Sequence, residues 1–248
     1  MTKTALGPFL ARNPFANGLT EGLFYREKMR AIHRVAPVQL ADGSRPARIL
    51  EIGGGRSGLA RMLYPDAEVI TLDIDLGLRF QSPPGAASAF VCGDARSLPF
   101  SAGAFDAVTL FDVLEHVLED RLAAAEALRV TRPGGVVLVS TPNADWRYPF
   151  YSFMTPVCPH ESELMAEWGH VRRGYTLDQL SGLFAARPDK SASFINPLTS
   201  FYHDVAFSRL PRKARKLLYG LAAPVASVGY LAHGPRWRGS ETAFAWRR

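Results

Sequence analysis

The sequence has few cysteines and no long apolar run. Only Cys92 and Cys158 occur among 248 residues, and they lie too far apart for a disulfide framework or a cysteine zinc site. We therefore expect no bound metal and a reducing, cytoplasmic setting. No segment reaches the ~20 apolar residues that span a bilayer, and residues 1–18 lack the charged start and apolar core of a secretory signal. The 47% hydrophobic and 21% charged content is typical of a globular domain.

The net charge of +6 is concentrated in one region of the chain. Residues 209–248 contain nine basic side chains and a single acidic one, so the other 208 residues are nearly neutral. Five of these basic residues lie in 209–216, and the mostly apolar stretch 217–232 follows them. Two interpretations remain open: a helix pair packed on the sheet with a solvated basic face, or a lipid-binding element in peripheral contact with a membrane. No nucleic-acid partner is expected, because no aromatic residues are interleaved with the basic ones. The sequence carries no signal for an oligomeric state.

Short apolar runs alternate with helix-like segments along most of the chain. Strands are predicted at 47–52, 68–73, 88–92, 105–111, 135–140, 193–196 and 242–246. Helices are predicted at 19–36, 57–64, near 76–81, at 117–130, and from Thr176, where Gln179 completes a capping box. Strands this apolar are buried on both faces, and the helices between them supply the crossovers of a parallel sheet. The pattern predicts a doubly wound α/β fold.

A glycine-rich loop follows the first predicted strand. It satisfies G-x-G-x-x-G through Gly53, Gly55 and Gly58, and such glycines allow a tight turn and close approach of a ligand to the backbone. Asp73, at the end of the second strand, is placed to bind ribose hydroxyls. These residues fit a dinucleotide and another adenosine-containing cofactor equally well.

Further motifs separate those two cofactor classes. Glu51 precedes the first glycine by two residues, where its carboxylate would approach an amino group and repel a pyrophosphate. The third strand ends in CGDA (92–95), the fourth runs into FDVLEHV (111–117), and RPGG (132–135) introduces the fifth. With these motifs in this order, the sequence resembles the class I S-adenosylmethionine-dependent methyltransferases, and most of all the small-molecule branch that includes ubiquinone-type enzymes. The strong motifs cover roughly 47–142.

The resemblance implies a fold and a division of the chain. The fold would be a Rossmann-like doubly wound sheet of seven strands with the last strand antiparallel, an N-terminal helical cover and a C-terminal elaboration. The cover would be residues 1–45, and the methyltransferase core 46–196 with a substrate loop at 143–175. Residues 197–248 would form the basic and apolar elaboration and contribute the last strand.

The resemblance also implies a binding site for S-adenosylmethionine. Its residues would be Glu51, Gly53, Gly54, Gly55, Asp73, Ile74, Gly93, Asp94, Ala95, Phe111 and Asp112. The glycine loop would wrap the methionine part of the cofactor, Asp73 would hold the ribose, with Asp75 as a competing candidate, and Asp94 would face the adenine. Phe111 and Asp112 would lie near the sulfonium.

The catalytic group is a separate question. Methyl transfer is an in-line displacement, for which positioning supplies much of the rate, and a general base helps where the acceptor is a hydroxyl. Candidate bases are His116, His160 and His170, each with a purely structural role as the alternative; for His116 that role is to cap or pack the next helix together with Glu115.

The expected activity is methyl transfer from S-adenosylmethionine to a small-molecule, glycan or lipid-linked acceptor. The aromatic segment within 143–175 lacks a regular period, and we expect it to be a loop over the cleft that selects the acceptor. The alternatives are a catalytically inactive cofactor-binding scaffold and a nicotinamide-dependent oxidoreductase.

Overall fold

Seven strands form a single mixed sheet in the computed structural model, which describes residues 3–15, 21–54, 58–77, 88–234 and 237–248. The strands are β1 (Arg48–Ile52), β2 (Glu68–Asp73), β3 (Ser88–Cys92), β4 (Phe105–Phe111), β5 (Thr131–Pro142), β6 (Lys190–Phe194) and β7 (Glu241–Arg247). Their order across the sheet is β3-β2-β1-β4-β5-β7-β6. Strands β1 to β5 run parallel, and β7 runs antiparallel to both β5 and β6. The expected Rossmann-like sheet with an antiparallel last strand is confirmed.

The sheet is buried on both faces because its central strands carry apolar residues at successive positions. In β1, Ile49 and Leu50 are both fully buried, and they belong to different apolar clusters on opposite faces. Successive side chains of a strand point to opposite sides, so an unbroken apolar run supplies two cores.

Eight α-helices cover these two faces. They are α1 (Leu6–Ala11), α2 (Glu21–Val35), α3 (Leu59–Leu63), α4 (Asp120–Val130), α5 (Glu161–Trp168), α6 (Leu177–Leu183), α7 (Pro197–Ala206) and α8 (Arg212–Ala232). Among the described helices, α1, α2, α3, α5, α7 and α8 contribute to the core on one face, and α4 and α6 to the core on the other. The predicted capping box of α6 is present, since Thr176 accepts from the Gln179 N–H and Gln179 accepts in return.

Three predicted elements differ from the structure. The aromatic segment is not wholly irregular, because α5 and a 3-10 helix at Ser152–Val157 lie within it. The helix predicted from 117 begins at Asp120, after a separate 3-10 turn at Leu114–His116. Residues 209–232 hold one long helix, α8, rather than a helix pair, although α8 packs against the preceding α7. Of the helix predicted near 76–81, residues 78–81 lie outside the described residues.

The fold brings the loops after β1, β2, β3 and β4 to one edge of the sheet, as in other doubly wound sheets. The helix α2 and the segment 143–175 lie beside that edge. The division of the chain at 45 and 196 stays a prediction; β7, from beyond 196, pairs with β5 and β6 of the predicted core.

Candidate functional site

One cavity, which we call the Asp73 cavity, opens at the carboxyl ends of β1 to β4. Its volume is about 460 Å³. Its walls are formed by Ile52, Gly53, Leu72, Asp73, Ile74, Gly93, Asp94, Ala95, Arg96, Asp112, Val113, His116, Val117 and Leu118. Seven of the residues predicted to bind a cofactor therefore meet in one place, from four separate strand ends.

The glycine loop fits the wall of the Asp73 cavity closely. Gly53 has a φ of +63°, and a Cβ there would lie 2.6 Å from the Cγ2 of Val113. A Cβ on Gly54 would lie 2.8 Å from the Cγ of Glu51. Both positions need glycine for steric reasons. Gly55, also predicted to bind the cofactor, lies outside the described residues.

The Glu51 side chain, predicted to bind the cofactor, is hydrogen-bonded to the backbone at the start of α3. It is not on the wall of the Asp73 cavity; its Oε1 accepts a hydrogen bond from the Ala60 N–H at 2.9 Å, at the start of α3. Burial raises the pKa of Glu51 to about 7. A carboxylate at a helix N-terminus satisfies backbone donors that have no partner within the helix, so Glu51 fixes the turn from β1 into α3.

Two carboxylates of the predicted cofactor site, Asp73 and Asp94, lie on the wall of the Asp73 cavity. Asp73 lines the cavity, and its Oδ1 accepts from the Asp75 N–H at 3.0 Å. Asp75 is not on the wall and accepts from the Gly77 N–H instead. Asp94 accepts from the Arg96 N–H and guanidinium, and these hydrogen bonds lower the pKa of Asp94. Arg96 also pairs with Glu119, and sequence reasoning did not identify it as a wall residue.

Phe111 and Asp112 occupy different environments although they are neighbours. Phe111 is buried in the core and is not among the residues that line the Asp73 cavity, and its place near the sulfonium stays a prediction. Asp112 has a φ of +54°, which turns the chain out of β4 at the edge of the cavity. The Ser140 hydroxyl donates to Asp112 Oδ1 at 2.5 Å, and the Lys28 ammonium donates to Oδ2. These partners from β5 and α2 hold Asp112 in place.

A second cavity, which we call the aromatic cavity, lies on the other side of Asp112 and His116. Its volume is about 470 Å³. Its walls are formed by Phe15, Phe24, Tyr25, Lys28, Asp112, Glu115, His116, Pro142, Trp168, His170, Phe194, Ile195, His203, Phe207 and Glu241. Asp112 and His116 belong to both cavities, so the two spaces share a wall.

The predicted aromatic segment supplies only part of this second cavity. Trp168 and His170 come from it, whereas Phe24 comes from α2, and His203 and Phe207 come from α7 and its end. The rings contact one another: Trp168 lies 4.8 Å from Phe207 and 5.9 Å from His203, between ring centroids. The walls of the aromatic cavity therefore come from α2 and α7 as well as from the segment 143–175.

Burial controls the charges in the aromatic cavity. Burial and the neighbouring Asp112 charge raise the pKa of Glu115 well above its usual value, and raise that of Glu241 to about 8. Burial is the largest single influence on Lys28 and would lower its pKa, but the charge and hydrogen bond of Asp112, together with Tyr25 and Glu241, outweigh burial and raise the pKa. The Lys28–Asp112 ion pair therefore lies beside two carboxyl groups, Glu115 and Glu241, whose charged forms are disfavoured by burial.

Two of the three candidate bases lie together, and the third lies elsewhere. His116 and His170 are in edge-to-face contact, with ring centroids 4.7 Å apart, and both line the aromatic cavity. Burial, followed by the His116 charge, lowers the pKa of His170 to about 4, so it is neutral at pH 7. His160 lines neither cavity; its ring accepts from the Ser162 N–H as the N-cap of α5.

The comparison with protein families identifies the domain. A family model described as a methyltransferase domain matches residues 50–139, which run from β1 into β5. Residues 50–139 are therefore a methyltransferase domain. The resemblance carried by the sequence motifs is confirmed, since the matched residues fall inside the range of those motifs.

Curated relatives of the methyltransferase domain include two quinone-pathway enzymes by name. A demethylmenaquinone methyltransferase from Renibacterium salmoninarum is 41% identical over 96 residues, covering 38% of this chain and 40% of that protein. A 2-methyl-6-phytyl-1,4-hydroquinone methyltransferase from Synechocystis is 29% identical over 219 residues, covering 83% and 68%. The chain spans about half the length of the leading curated relatives, between 40% and 54%.

A solved structure agrees with the fold of the whole chain. The N-methyltransferase NodS from Bradyrhizobium japonicum, crystallised with S-adenosyl-L-homocysteine, superposes with a TM-score of 0.57 at 12% identity. The match covers 98% of this chain and 96% of NodS. The methyltransferase domain and the elements around it therefore share the NodS fold.

Proposed function

We propose that this methyltransferase domain transfers a methyl group from S-adenosylmethionine in the Asp73 cavity to an aromatic, hydroquinone-type acceptor in the aromatic cavity. The observation that carries the proposal is the shared wall. Two cavities of ligand size, about 460 and 470 Å³, meet at Asp112 and His116, as a transfer between two bound molecules requires.

The residues of the Asp73 cavity fit S-adenosylmethionine. Gly53 leaves room where a Cβ would collide with Val113, while Asp73 and Asp94 offer carboxylates to ribose hydroxyls and an adenine amino group. Among the described residues of this wall, the arginine Arg96 is paired with Asp94 and Glu119. A cavity with three carboxylates suits a cationic cofactor without phosphates better than a dinucleotide. When bound, the cofactor supplies an electrophilic methyl group on a sulfonium.

The aromatic cavity fits the acceptor side of the reaction. Its rings would hold a flat aromatic molecule by apolar and edge-to-face contacts. The neutral His170 is a candidate to accept the proton of a ring hydroxyl, because burial keeps its imidazole unprotonated at pH 7. The names of the two curated relatives, which act on a demethylmenaquinone and a phytyl hydroquinone, support this acceptor class.

Ligand titration and a transfer assay test the proposal. S-adenosylhomocysteine should bind the purified chain, and Asp73→Asn should weaken it by about 1.5–3 kcal/mol, the scale of a hydrogen bond to a charged group. Asp75→Asn is the matched control and should leave the affinity unchanged. Radiolabel from S-adenosylmethionine should appear in a short-chain prenyl hydroquinone. Binding of NAD in place of S-adenosylhomocysteine would refute the cofactor assignment.

The surface of α8 favours an acceptor that resides in a membrane. No helix in the described part of the chain has the length and apolarity needed to cross a bilayer. On α8, however, one face is apolar and largely exposed: Leu217, Leu221, Val225, Val228 and Leu231 are 53–78% exposed. The alternative in which this stretch packs on the sheet does not hold for Leu217, Leu221, Val225 and Leu231, because the opposite face of α8, with Tyr219, Ala226 and Gly229, is the buried one.

We propose that α8 lies on an anionic lipid surface. The apolar residues recur at intervals of three and four, so they form one stripe, and four basic residues at 212–216 occupy the first turn and a half of the same helix. Apolar burial in the headgroup region and attraction of basic side chains to anionic lipid then act together.

Vesicle co-sedimentation distinguishes this role from a merely solvated helix. The chain should sediment with phosphatidylglycerol-containing vesicles at low salt, and less at high salt. A variant with Arg212, Lys213, Arg215 and Lys216 changed to Ser should stay in the supernatant. The control is Arg187→Ser, which removes an exposed arginine outside α8 and should sediment like wild type. Equal sedimentation of wild type and the four-residue variant would contradict the proposal.

A further inference from the structure

Glu115, His116 and His170 converge on one point at the edge of the aromatic cavity. One ligating atom from each of them lies within 4.8 Å of the other two. Ligands bound at about 2.0–2.2 Å from one metal ion lie at most about 4.4 Å apart, so a small movement of side chains would bring these three into a coordination sphere. Two imidazoles and one carboxylate are a donor set that divalent transition metals prefer.

Two of these residues hold buried polar atoms without a partner. Glu115 is fully buried, and its Oε1 makes no hydrogen bond, although its Oε2 accepts from the Thr141 hydroxyl at 3.2 Å. His170 Nδ1 is also buried and unpartnered. An unpaired buried polar atom is costly, and two of them beside each other indicate a missing ligand.

The third residue is oriented as a metal ligand. His116 Nδ1 lies 3.2 Å from the Gly169 carbonyl oxygen. A histidine that donates one ring N–H to a backbone carbonyl presents its other nitrogen as a lone-pair donor. In that tautomer the lone pair of His116 lies on Nε2 and is available to an ion.

Backbone hydrogen bonds tie together the two segments that carry the cluster. The Val171 N–H donates to the Glu115 carbonyl at 2.9 Å, and the Arg172 guanidinium donates to the Leu114 and Val117 carbonyls at 2.6 Å each. The segment after α5 is thus fixed against the 3-10 turn after β4. This bracing holds the three side chains together without help from an ion.

We propose that Glu115, His116 and His170 form a binding site for one divalent transition-metal ion at the shared wall of the two cavities. Three protein ligands leave positions of the ion open toward the aromatic cavity. The chemical class of ligand that would fill them is an oxygen donor such as a phenolic hydroxyl. This last step rests on the proposed function and changes its proton acceptor: with His170 bound to the ion, the proton of a ring hydroxyl held beside Asp112 would pass to solvent, and the ion would lower the pKa of that hydroxyl.

Metal binding to the full chain tests the site without an activity measurement. Chelator-treated protein is titrated with Co²⁺, followed by its visible absorption, and with Zn²⁺, followed by calorimetry and elemental analysis. We expect one ion per chain. Glu115→Gln and His170→Asn should each weaken binding by at least about tenfold, whereas His160→Asn, which keeps a side chain able to cap α5, should not.

The affinity for S-adenosylhomocysteine separates the outcomes. Neither Glu115 nor His170 lines the Asp73 cavity, so both variants should retain that affinity if they are folded; where one variant does not fold, the other decides. Wild type that binds S-adenosylhomocysteine but neither ion would overturn the metal site and leave the proposed function standing. An ion bound equally by wild type and both variants would also overturn it. One ion bound by a chain with no affinity for S-adenosylhomocysteine would uphold the site and remove the proposed function.

Discussion

Gly53 and Gly58 offer a matched pair for testing why the turn after β1 needs glycine. Both have positive φ, +63° and +54°, so alanine at either position incurs the left-handed backbone cost of about 1–2 kcal/mol. At Gly53 the added Cβ meets the Val113 Cγ2 at 2.6 Å, whereas at Gly58 no atom of the described residues lies within 4 Å. Overpacking adds about 1–3 kcal/mol. We therefore expect Gly58→Ala to lower the free energy of unfolding by about 1–2 kcal/mol, and Gly53→Ala by about 2–5 kcal/mol.

A double-mutant cycle isolates the contact. Val113→Ala alone should cost about 1–2 kcal/mol, because it deletes two methyl groups from a buried side chain. Combined with Gly53→Ala, it removes the colliding methyl, so the double variant should be more stable than the sum of the single effects by at least about 1 kcal/mol. Urea unfolding, followed by tryptophan fluorescence, gives the free energy of unfolding of wild type, the two single variants of the cycle, the double variant and Gly58→Ala. Equal destabilisation by the two glycine variants, with additive effects in the cycle, would refute the steric argument.

Two further predictions concern the helix α8 and the charge of Glu241. Gly229→Ala should destabilise the chain by about 1–3 kcal/mol, because its Cβ would lie 2.6 Å from the Leu198 Cβ of α7. Gly220→Ala, where no atom of the described residues lies within 4 Å of the added Cβ, should instead stabilise α8 by about 0.5–1 kcal/mol. Thermal unfolding that ranks the two variants the other way would contradict this packing. Burial raises the pKa of Glu241 from 4.5 to about 8 in the folded chain, so its contribution to stability is complete below 4.5 and is lost as the pH rises through 8. Glu241→Gln should flatten the decline in unfolding free energy over that range, and parallel pH profiles of the two proteins would exclude the raised pKa.

The central strands could be predicted from the sequence because local pattern and tertiary burial coincide there. Strands β2, β3 and β4 have the predicted bounds, 68–73, 88–92 and 105–111, since unbroken apolar runs bounded by polar turns are typical of strands buried on both faces. The course of residues 212–232 could not be predicted in this way. Gly220, Pro224 and Gly229 are poor helix formers, yet α8 continues through all three. At Gly229 the helix lies so close to α7 that an added Cβ would be 2.6 Å from the Leu198 Cβ.

The residues of the Asp73 cavity could be predicted where they lie at the ends of neighbouring parallel strands. Asp73, Gly93, Asp94 and Ala95 follow consecutive parallel strands, so topology alone places them together. Lys28 was not predicted because it reaches Asp112 from a helix 84 residues earlier in the chain. The proposed metal ligands could not be predicted for the same reason. Glu115 and His116 are adjacent in sequence, but only the fold brings His170 beside them.

The position of β7 in the sheet has a consequence for the order in which the protein assembles. Strand β7 is later in sequence than β6 but lies between β5 and β6. The parallel strands β1 to β5, which carry the Asp73 cavity, need nothing beyond residue 142 for their own pairing. In contrast, β6 has no neighbour in the sheet until residues 241–247 are in place, and Glu241, Phe194 and Ile195 all line the aromatic cavity. During synthesis, the half of the molecule with the Asp73 cavity is therefore able to form while the aromatic cavity still awaits a strand that emerges about a hundred residues later.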